Sequence, residues 1–313
     1  MGNNQKKQNK KGLKTIAIHH GKSYADETGC VMPPIFATST FEHGNKANFD
    51  YTRSGNPNFS ILENVLKGIE NSNYCTVFNS GISAVTAIVS SLKSGDTILC
   101  ESNLYGCTIR MFEKIFRKFG IQTSYFDFTN KEYIQQISKV KPSLIWLESP
   151  TNPLLKILNL KEICSEANLR KIPVVVDNTF CTAVIQKPLE LGATLSLIST
   201  TKFINGHSDA LGGAVITNDE SWNNKMIFSQ KSLGLNPSPF DCWLITRGLK
   251  TLPLRIAQQT ENAYFIANEL NSHKLIDQLI YPFNKNHPQF ELAKSQMKIG
   301  GSMITLKLKL NKN

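Results

Sequence analysis

The chain reads as an α/β protein built on a large, mostly parallel sheet with helices on both faces. Three observations predict this. Short apolar runs alternate with helical patterns from about residue 60 to residue 217. The runs are apolar throughout, which is the pattern of strands buried on both faces. Polar clusters follow several of these runs at once, and in such sheets ligands bind beyond the carboxyl ends of the strands.

Residues 1–15, rich in Asn, Gln and Lys, read as a disordered basic tail. The stretch 16–49 is turn-rich, with Pro33-Pro34 forcing extended backbone, and an arm of this kind is expected to lie across a neighbouring subunit. Tyr51-Thr52-Arg53-Ser54-Gly55-Asn56-Pro57 is a polar turn whose arginine could grip a phosphate bidentately. A helix over 60–70 and a strand over 74–78 follow. Asn79-Ser80-Gly81-Ile82-Ser83 then opens a helical stretch over 84–92 that Gly95 ends, and small residues at a helix start expose amide donors to an anion. Strands are predicted over 96–100, 121–126, 143–147, 172–176, 193–198 and 214–217. Helices are predicted over 107–119 (capped by Gly120), 131–140 and 160–170.

The polar groups cluster at strand ends. The strand over 143–147 delivers Glu148-Ser149-Pro150-Thr151-Asn152-Pro153, and the strand over 172–176 delivers Asp177-Asn178-Thr179-Phe180. A carboxylate straight after three valines loses hydration unless it meets a cation or a donor. The strand over 193–198 delivers Ser199-Thr200-Thr201-Lys202. Hydroxyls and turn amides there can hold a phosphate, and a lysine in the same turn can form a Schiff base. Phosphate and aldehyde together point to pyridoxal phosphate (PLP). Two rivals stand beside this reading: a solvated polar turn, and the Ser-x-x-Lys nucleophile of penicillin-binding enzymes, whose companion Ser-Asp-Asn and Lys-Thr-Gly are absent.

Composition narrows the function classes. The 313 residues, 41% of them apolar, can bury one large or two modest domains. No run approaches the ~18 apolar residues of a membrane helix, and the lysine-rich start lacks an apolar stretch and a cleavage site. Seven cysteines without Cys-x-x-Cys fit reduced thiols, so a cytoplasmic protein is expected. Of the net charge of +11, Lys6, Lys7, Lys10, Lys11 and Lys14 lie in one short tail. The remaining charges are scattered, so nucleic acid is not expected as a partner.

Tyr51-Thr-Arg-Ser-Gly-Asn-Pro, Ser80-Gly81-Ile82, Tyr105-Gly-Cys-Thr, Glu148-Ser-Pro-Thr-Asn-Pro, Asp177-Asn-Thr-Phe and Ser199-Thr-Thr-Lys-Phe-Ile-Asn-Gly-His-Ser-Asp occur in this order. The chain therefore resembles, from about Ile18 to its last residue, the PLP-dependent enzymes of cysteine and methionine metabolism. Within them Asn205-Gly206-His207-Ser208-Asp209, Pro237-Ser238-Pro239 with Asp241-Cys242, and Arg247-Gly248-Leu249-Lys250-Thr251-Leu252 are most similar to cystathionine γ-lyase and cystathionine γ-synthase.

The resemblance implies a PLP-dependent transferase fold (fold type I, aspartate-aminotransferase-like). It further implies a tail and arm over 1–50, a PLP-binding large domain over 51–245 and part of a C-terminal α/β domain over 246–313. Lys202 would carry the Schiff base and shuttle protons, Asp177 would pair with the pyridinium nitrogen, and Tyr105 would stack on the ring. Ser80, Gly81, Ile82, Ser199 and Thr201 would hold the phosphate, and Asn152 would lie near the ring hydroxyl. Tyr51 and Arg53 would reach the phosphate of a neighbouring subunit, making the active unit at least a dimer and by expectation a tetramer. Arg53, Tyr105 and Arg110 would contact an amino-acid substrate; no metal is implied.

The implied reaction is γ-elimination or γ-replacement on sulfur amino acids in trans-sulfuration. The alternatives are cystathionine β-lyase or methionine γ-lyase chemistry, or a PLP-binding remnant without turnover. Ile82 replaces a usual methionine at a position that binds through its amide. Cys107 replaces a common glycine, as in a methionine γ-lyase variant, and reads as a small packing residue. Family members continue for tens of residues past Leu310. The chain is therefore expected to lack the Ser-Leu-Gly loop and the arginine that grips the substrate carboxylate. Residues 303–310 are expected to be the first strand of the C-terminal domain, with apolar surface exposed over 252–279.

Overall fold

The computed structural model describes residues 11–20 and 29–309. Of the tail predicted over residues 1–15, residues 1–10 lie outside them. Over the rest the expectation fails: Leu13–His19 form a helix, α1, that packs on the chain's own core. Its Ala17 is buried among core residues, with Leu13 and Ile16 packed against them. The second helix, α2 (Pro57–Glu70), makes room at Gly68, where a Cβ would stand 2.7 Å from Ile16 Cγ2. The start of α2 follows from chemistry: the Asn56 side chain accepts the Asn58 N–H at 2.9 Å, and Pro57 sits where the helix lacks a backbone partner anyway.

Seven strands form the main sheet: β1 (Tyr74–Phe78), β2 (Thr97–Glu101), β3 (Gln122–Phe126), β4 (Leu144–Glu148), β5 (Val174–Asp177), β6 (Leu195–Ile198) and β7 (Gly213–Thr217). Their order is β1-β7-β6-β5-β4-β2-β3. Pairings among β3, β2, β4, β5 and β6 are parallel, whereas β7 runs antiparallel to both β6 and β1. β1 and β6 therefore point the same way, and the carboxyl ends of six strands share one edge.

Helices cover both faces. Val175, Leu195, Leu197 and Val215 face α3 (Gly81–Val89), α4 (Gly106–Lys114) and α8 (Glu220–Ser232). The intervening Val174, Val176 and Ile145 face the opposite layer, which includes α5 (Tyr133–Val140) and α6 (Leu160–Leu169). Alternate residues of a strand point to opposite faces, so a strand apolar at every position needs a helix on each side.

Sequence boundaries shift where local chemistry intervenes. Pro173 delays β5 to Val174, and the helix expected over 107–119 ends at Lys114, continuing as a 3-10 turn over Phe116–Phe119. Beyond the sheet come α7 (Thr182–Ile185), α9 (Pro239–Leu249), α10 (Leu252–Leu270) and α11 (Phe290–Gln296). A second, two-stranded antiparallel sheet joins β8 (Ile276–Ile280) to β9 (Thr305–Leu308). The stretch expected to be the first strand of this region is thus its second, because β8 precedes it. Its last residue, 310, lies outside the described residues. Leu254, Tyr264, Phe265 and Leu275 leave apolar surface exposed along and after α10, as expected.

Candidate active site

One cavity of about 1200 Å³ opens at the carboxyl edge of the sheet. Its lining includes Ser80, Gly81 and Ile82 after β1, Tyr105 after β2 and Asn152 after β4. Asp177 at the end of β5 and Ser199, Thr201 and Lys202 after β6 line it as well. Residues predicted on five separate strand ends therefore meet around one space.

The side of the cavity that could hold an anion is built from small residues. Ser80 caps α3, its Oγ accepting the Ser83 N–H at 3.1 Å. Gly81 and Ile82 fill the first turn, where helix amides lack intrahelical partners and the dipole is positive. Two glycines permit the close approach of β1, β6 and β7. A Cβ on Gly81 would lie 2.8 Å from Ser199 Cβ, and one on Gly213 would lie 2.3 Å from the Ser80 carbonyl oxygen. The Thr201 hydroxyl is engaged with Gly212, accepting its N–H at 3.0 Å and donating to its carbonyl at 3.1 Å. Ser199 is held by its own N–H, which donates to Thr179 Oγ1 at 2.9 Å.

Asp177 supplies the negative charge. Its Oδ1 accepts the Thr179 N–H at 3.0 Å and the Thr179 hydroxyl at 2.6 Å. Burial nevertheless raises its pKa, the two hydrogen bonds only opposing that rise, and among the described residues it has no ion-pair partner. A desolvated carboxylate in this state favours an added cation, which a protonated pyridine ring provides. Lys202 is exposed and lines the same cavity. An amide-rich turn for a phosphate, a carboxylate lacking a cation and a lysine on one cavity fit PLP.

Tyr105 opens α4 and is 43% exposed. Its pKa is raised, first by a hydrogen bond with Cys107 and then by burial. Cys107 is not the packing residue the sequence implied. It is partly exposed, Arg110 Nη2 donates to its Sγ at 2.8 Å, and Tyr105 and Arg110 hold its pKa below the usual thiol value.

Three predicted residues are not brought to the cavity of their own chain. Arg110 is spent on Cys107. Tyr51 is 42% exposed, and Arg53 donates to the Lys231 carbonyl at 3.0 Å with its guanidinium 5.3 Å from the Tyr51 ring centre.

Other residues shape the site without having been singled out. Thr179 ties the end of β5 to that of β6, and its position two residues after an aspartate was a readable turn signal. Glu148 ends β4 as Asp177 ends β5, and its Oε2 accepts the Tyr105 N–H at 2.9 Å. Arg255 on α10 donates to the carbonyls of Phe203 (2.8 Å), Ile204 (3.1 Å), Asn205 (3.5 Å) and Gly248 (2.9 Å), pinning the turn that follows Lys202. Nothing in the sequence links Arg255 to a turn some fifty residues earlier.

The fold and the site together define a PLP-dependent enzyme of fold type I. The chain belongs to the Cys/Met metabolism PLP-dependent enzyme family, whose model matches residues 14–313. It is similar to the protein named "Probable cystathionine gamma-synthase" of Herpetosiphon aurantiacus, with 40% identity over 95% of this chain and 94% of that one. It is 39% identical to the cystathionine gamma-lyase of Homo sapiens over 94% of this chain and 74% of that one. Among solved structures, the cystathionine gamma synthase of Xanthomonas oryzae pv. oryzae in complex with aminoacrylate and cysteine superposes with a TM-score of 0.93. That pair is 36% identical over 96% of this chain and 79% of the other.

Proposed function

We propose that the chain catalyses γ-elimination or γ-replacement on sulfur amino acids, with cystathionine as product or substrate. The observation that carries this reading is the meeting of Asp177, Lys202 and the Ser80–Ile82 turn on one cavity, in a chain of the cysteine and methionine family. When bound, PLP supplies an electron sink for negative charge that develops on the substrate carbons.

The residues of the chain do the rest. Ser80, Gly81, Ile82 and Ser199 anchor the phosphate, with Thr201 bracing that cup through Gly212. Asp177 would hold the ring nitrogen protonated, and Asn152 would lie by the ring hydroxyl. Lys202 moves protons at the substrate Cα and Cβ. Tyr105 would cover the ring, and its hydroxyl, whose pKa is raised, would be able to deliver a proton to the departing γ-substituent. Tyr51 and Arg53, which do not line their own chain's cavity, serve the phosphate and substrate of a second copy. The active unit is then at least a dimer, by family resemblance a tetramer. We place its work in the cytoplasm; among the described residues no helix is long and apolar enough to cross a membrane. The large domain that does this chemistry spans 51–245, with 246–313 contributing to a second one.

Purified protein loaded with PLP is assayed with cystathionine, and separately with an O-acylhomoserine plus cysteine. Release of 2-oxobutyrate from cystathionine supports γ-elimination, and formation of cystathionine supports γ-replacement. Pyruvate from cystathionine, methanethiol from methionine, or a bound cofactor with no turnover would overturn the proposal. The variant Lys202→Ala is expected to fold and to lose the visible absorbance of the lysine-linked cofactor; retention of that absorbance would remove Lys202 from its role.

A further inference from the structure

The loop before Tyr105 is fastened at both ends by buried carboxyl groups of adjacent strands. Glu101, the last residue of β2, is fully buried. Its Oε1 accepts the Ser102 hydroxyl at 2.9 Å and the Asn103 N–H at 3.0 Å, and its Oε2 accepts the Phe128 N–H at 2.9 Å. Glu148, the last residue of β4 and 6% exposed, takes the other end of the loop at the Tyr105 N–H. The loop Ser102–Leu104 is therefore clasped, and the place where α4 begins is set by Glu148.

Glu148 is also in register with Asp177 across the parallel β4–β5 pair. Adjacent strands lie about 4.8 Å apart, so in-register carboxyl groups that both line the cavity are close neighbours. We propose that Glu148 is a positioning residue for the reaction: its carboxyl oxygen holds Tyr105 by the main chain and so fixes the phenol over the cavity beside Asp177. This rests on the reading of Tyr105 and Asp177 given above.

Two neighbouring carboxyl groups in a desolvated place do not both ionise. Asp177 receives two hydrogen bonds from Thr179, whereas Glu148 receives one from Tyr105. The charge therefore rests on Asp177 and the proton on Glu148. Burial, followed by the proximity of Asp177, pushes the Glu148 pKa well above the usual carboxylate range in agreement with this. A neutral acid at this point leaves Asp177 as the charged member of the pair, facing the ring nitrogen.

The variants Glu148→Gln, Glu148→Asp and Glu148→Ala of the PLP-loaded protein test this. Glutamine preserves length, neutrality and an acceptor for Tyr105. It is expected to leave kcat within about threefold of the parent and to keep the visible circular dichroism of the cofactor. Aspartate restores a carboxyl group but falls short of the Tyr105 N–H. It is expected to lower kcat about 10²-fold, the scale of a 1 Å misplacement, with KM little changed. Amide hydrogen exchange over residues 102–106, read without substrate, is expected to rise about tenfold in the aspartate and alanine variants only.

In a Tyr105→Ala background, Glu148→Asp should cost no more than about twofold, because its effect runs through Tyr105. Aspartate performing better than glutamine would show that charge, not reach, matters, and would overturn the proposal. So would unchanged amide protection in the aspartate variant, or additive losses in the Tyr105→Ala background. A wrong substrate class would abolish turnover in every protein, parent included, and leave the exchange and dichroism pattern standing.

Discussion

Asp177 and Asp277 are both aspartates on strands, and the sheets around them give them opposite chemistry. Asp177 ends β5 in the interior of a seven-stranded sheet with helices on both faces, where burial raises its pKa. Asp277 lies on β8 of the two-stranded sheet, is exposed, and pairs with Lys307 on β9 at 2.8 Å, which lowers its pKa. The exposed carboxylate has its cation and its water, so the pairing contributes little. The buried one has two hydrogen bonds and an incomplete charge balance, which a ligand can complete. The same side chain thus differs in chemistry according to whether its hydration is removed and how far it is replaced.

The largest expected effect is at Asp177. Asp177→Asn keeps the shape and an acceptor for Thr179 but removes the charge. Its kcat should fall about 10²–10⁴-fold in steady-state assays while the protein stays folded. A loss below tenfold would mean the carboxylate is not the partner of the ring nitrogen, and the contrast with Asp277 would collapse.

Glu70 sharpens the contrast, because it is a desolvated carboxyl group like Asp177 but does not line the site cavity. It is fully buried on α2, and neither of its carboxyl oxygens has a hydrogen-bond partner among the described residues. Desolvation raises its pKa from 4.5 to about 8. A carboxyl group with a raised folded pKa gives its full stability below the unfolded pKa, and loses it as pH climbs through the folded one. Urea unfolding of the parent should therefore show stability falling between about pH 5 and pH 8. Glu63, raised to about 7, adds to the slope. Glu70→Gln should flatten much of that fall and exceed the parent by on the order of 2 kcal/mol near pH 9. Parallel pH profiles for the two proteins would show that burial alone does not set the proton affinity of Glu70.

The smallest effect is expected at the exposed pair. Asp277→Asn should change unfolding stability by no more than about 1 kcal/mol and leave kcat untouched. A larger loss would place Asp277 in an environment less exposed than the chain alone provides, as happens when another copy covers it.

By itself the sequence determined the main sheet and its active edge. Runs such as Leu144–Glu148 and Val174–Asp177 are apolar until their last residue, so their burial and the polar group at their end are written locally. Ser80-Gly81-Ile82, Asp177 and Lys202 were legible for that reason, and the family motifs added Tyr105 and Asn152. Tertiary structure decided what local pattern cannot express. The short helix α1 exists against Gly68, and β8 became legible only once paired with β9. Tyr51, Arg53 and Arg110 were singled out from the sequence, yet none of them lines the cavity of its own chain. Arg255 meets the turn after Lys202, and Glu148 meets the Tyr105 N–H 43 residues away, because helix packing and the β5-β4-β2 strand order bring them together. Local pattern fixes which residues lose water; the crossing of strands and helices fixes which partners replace it.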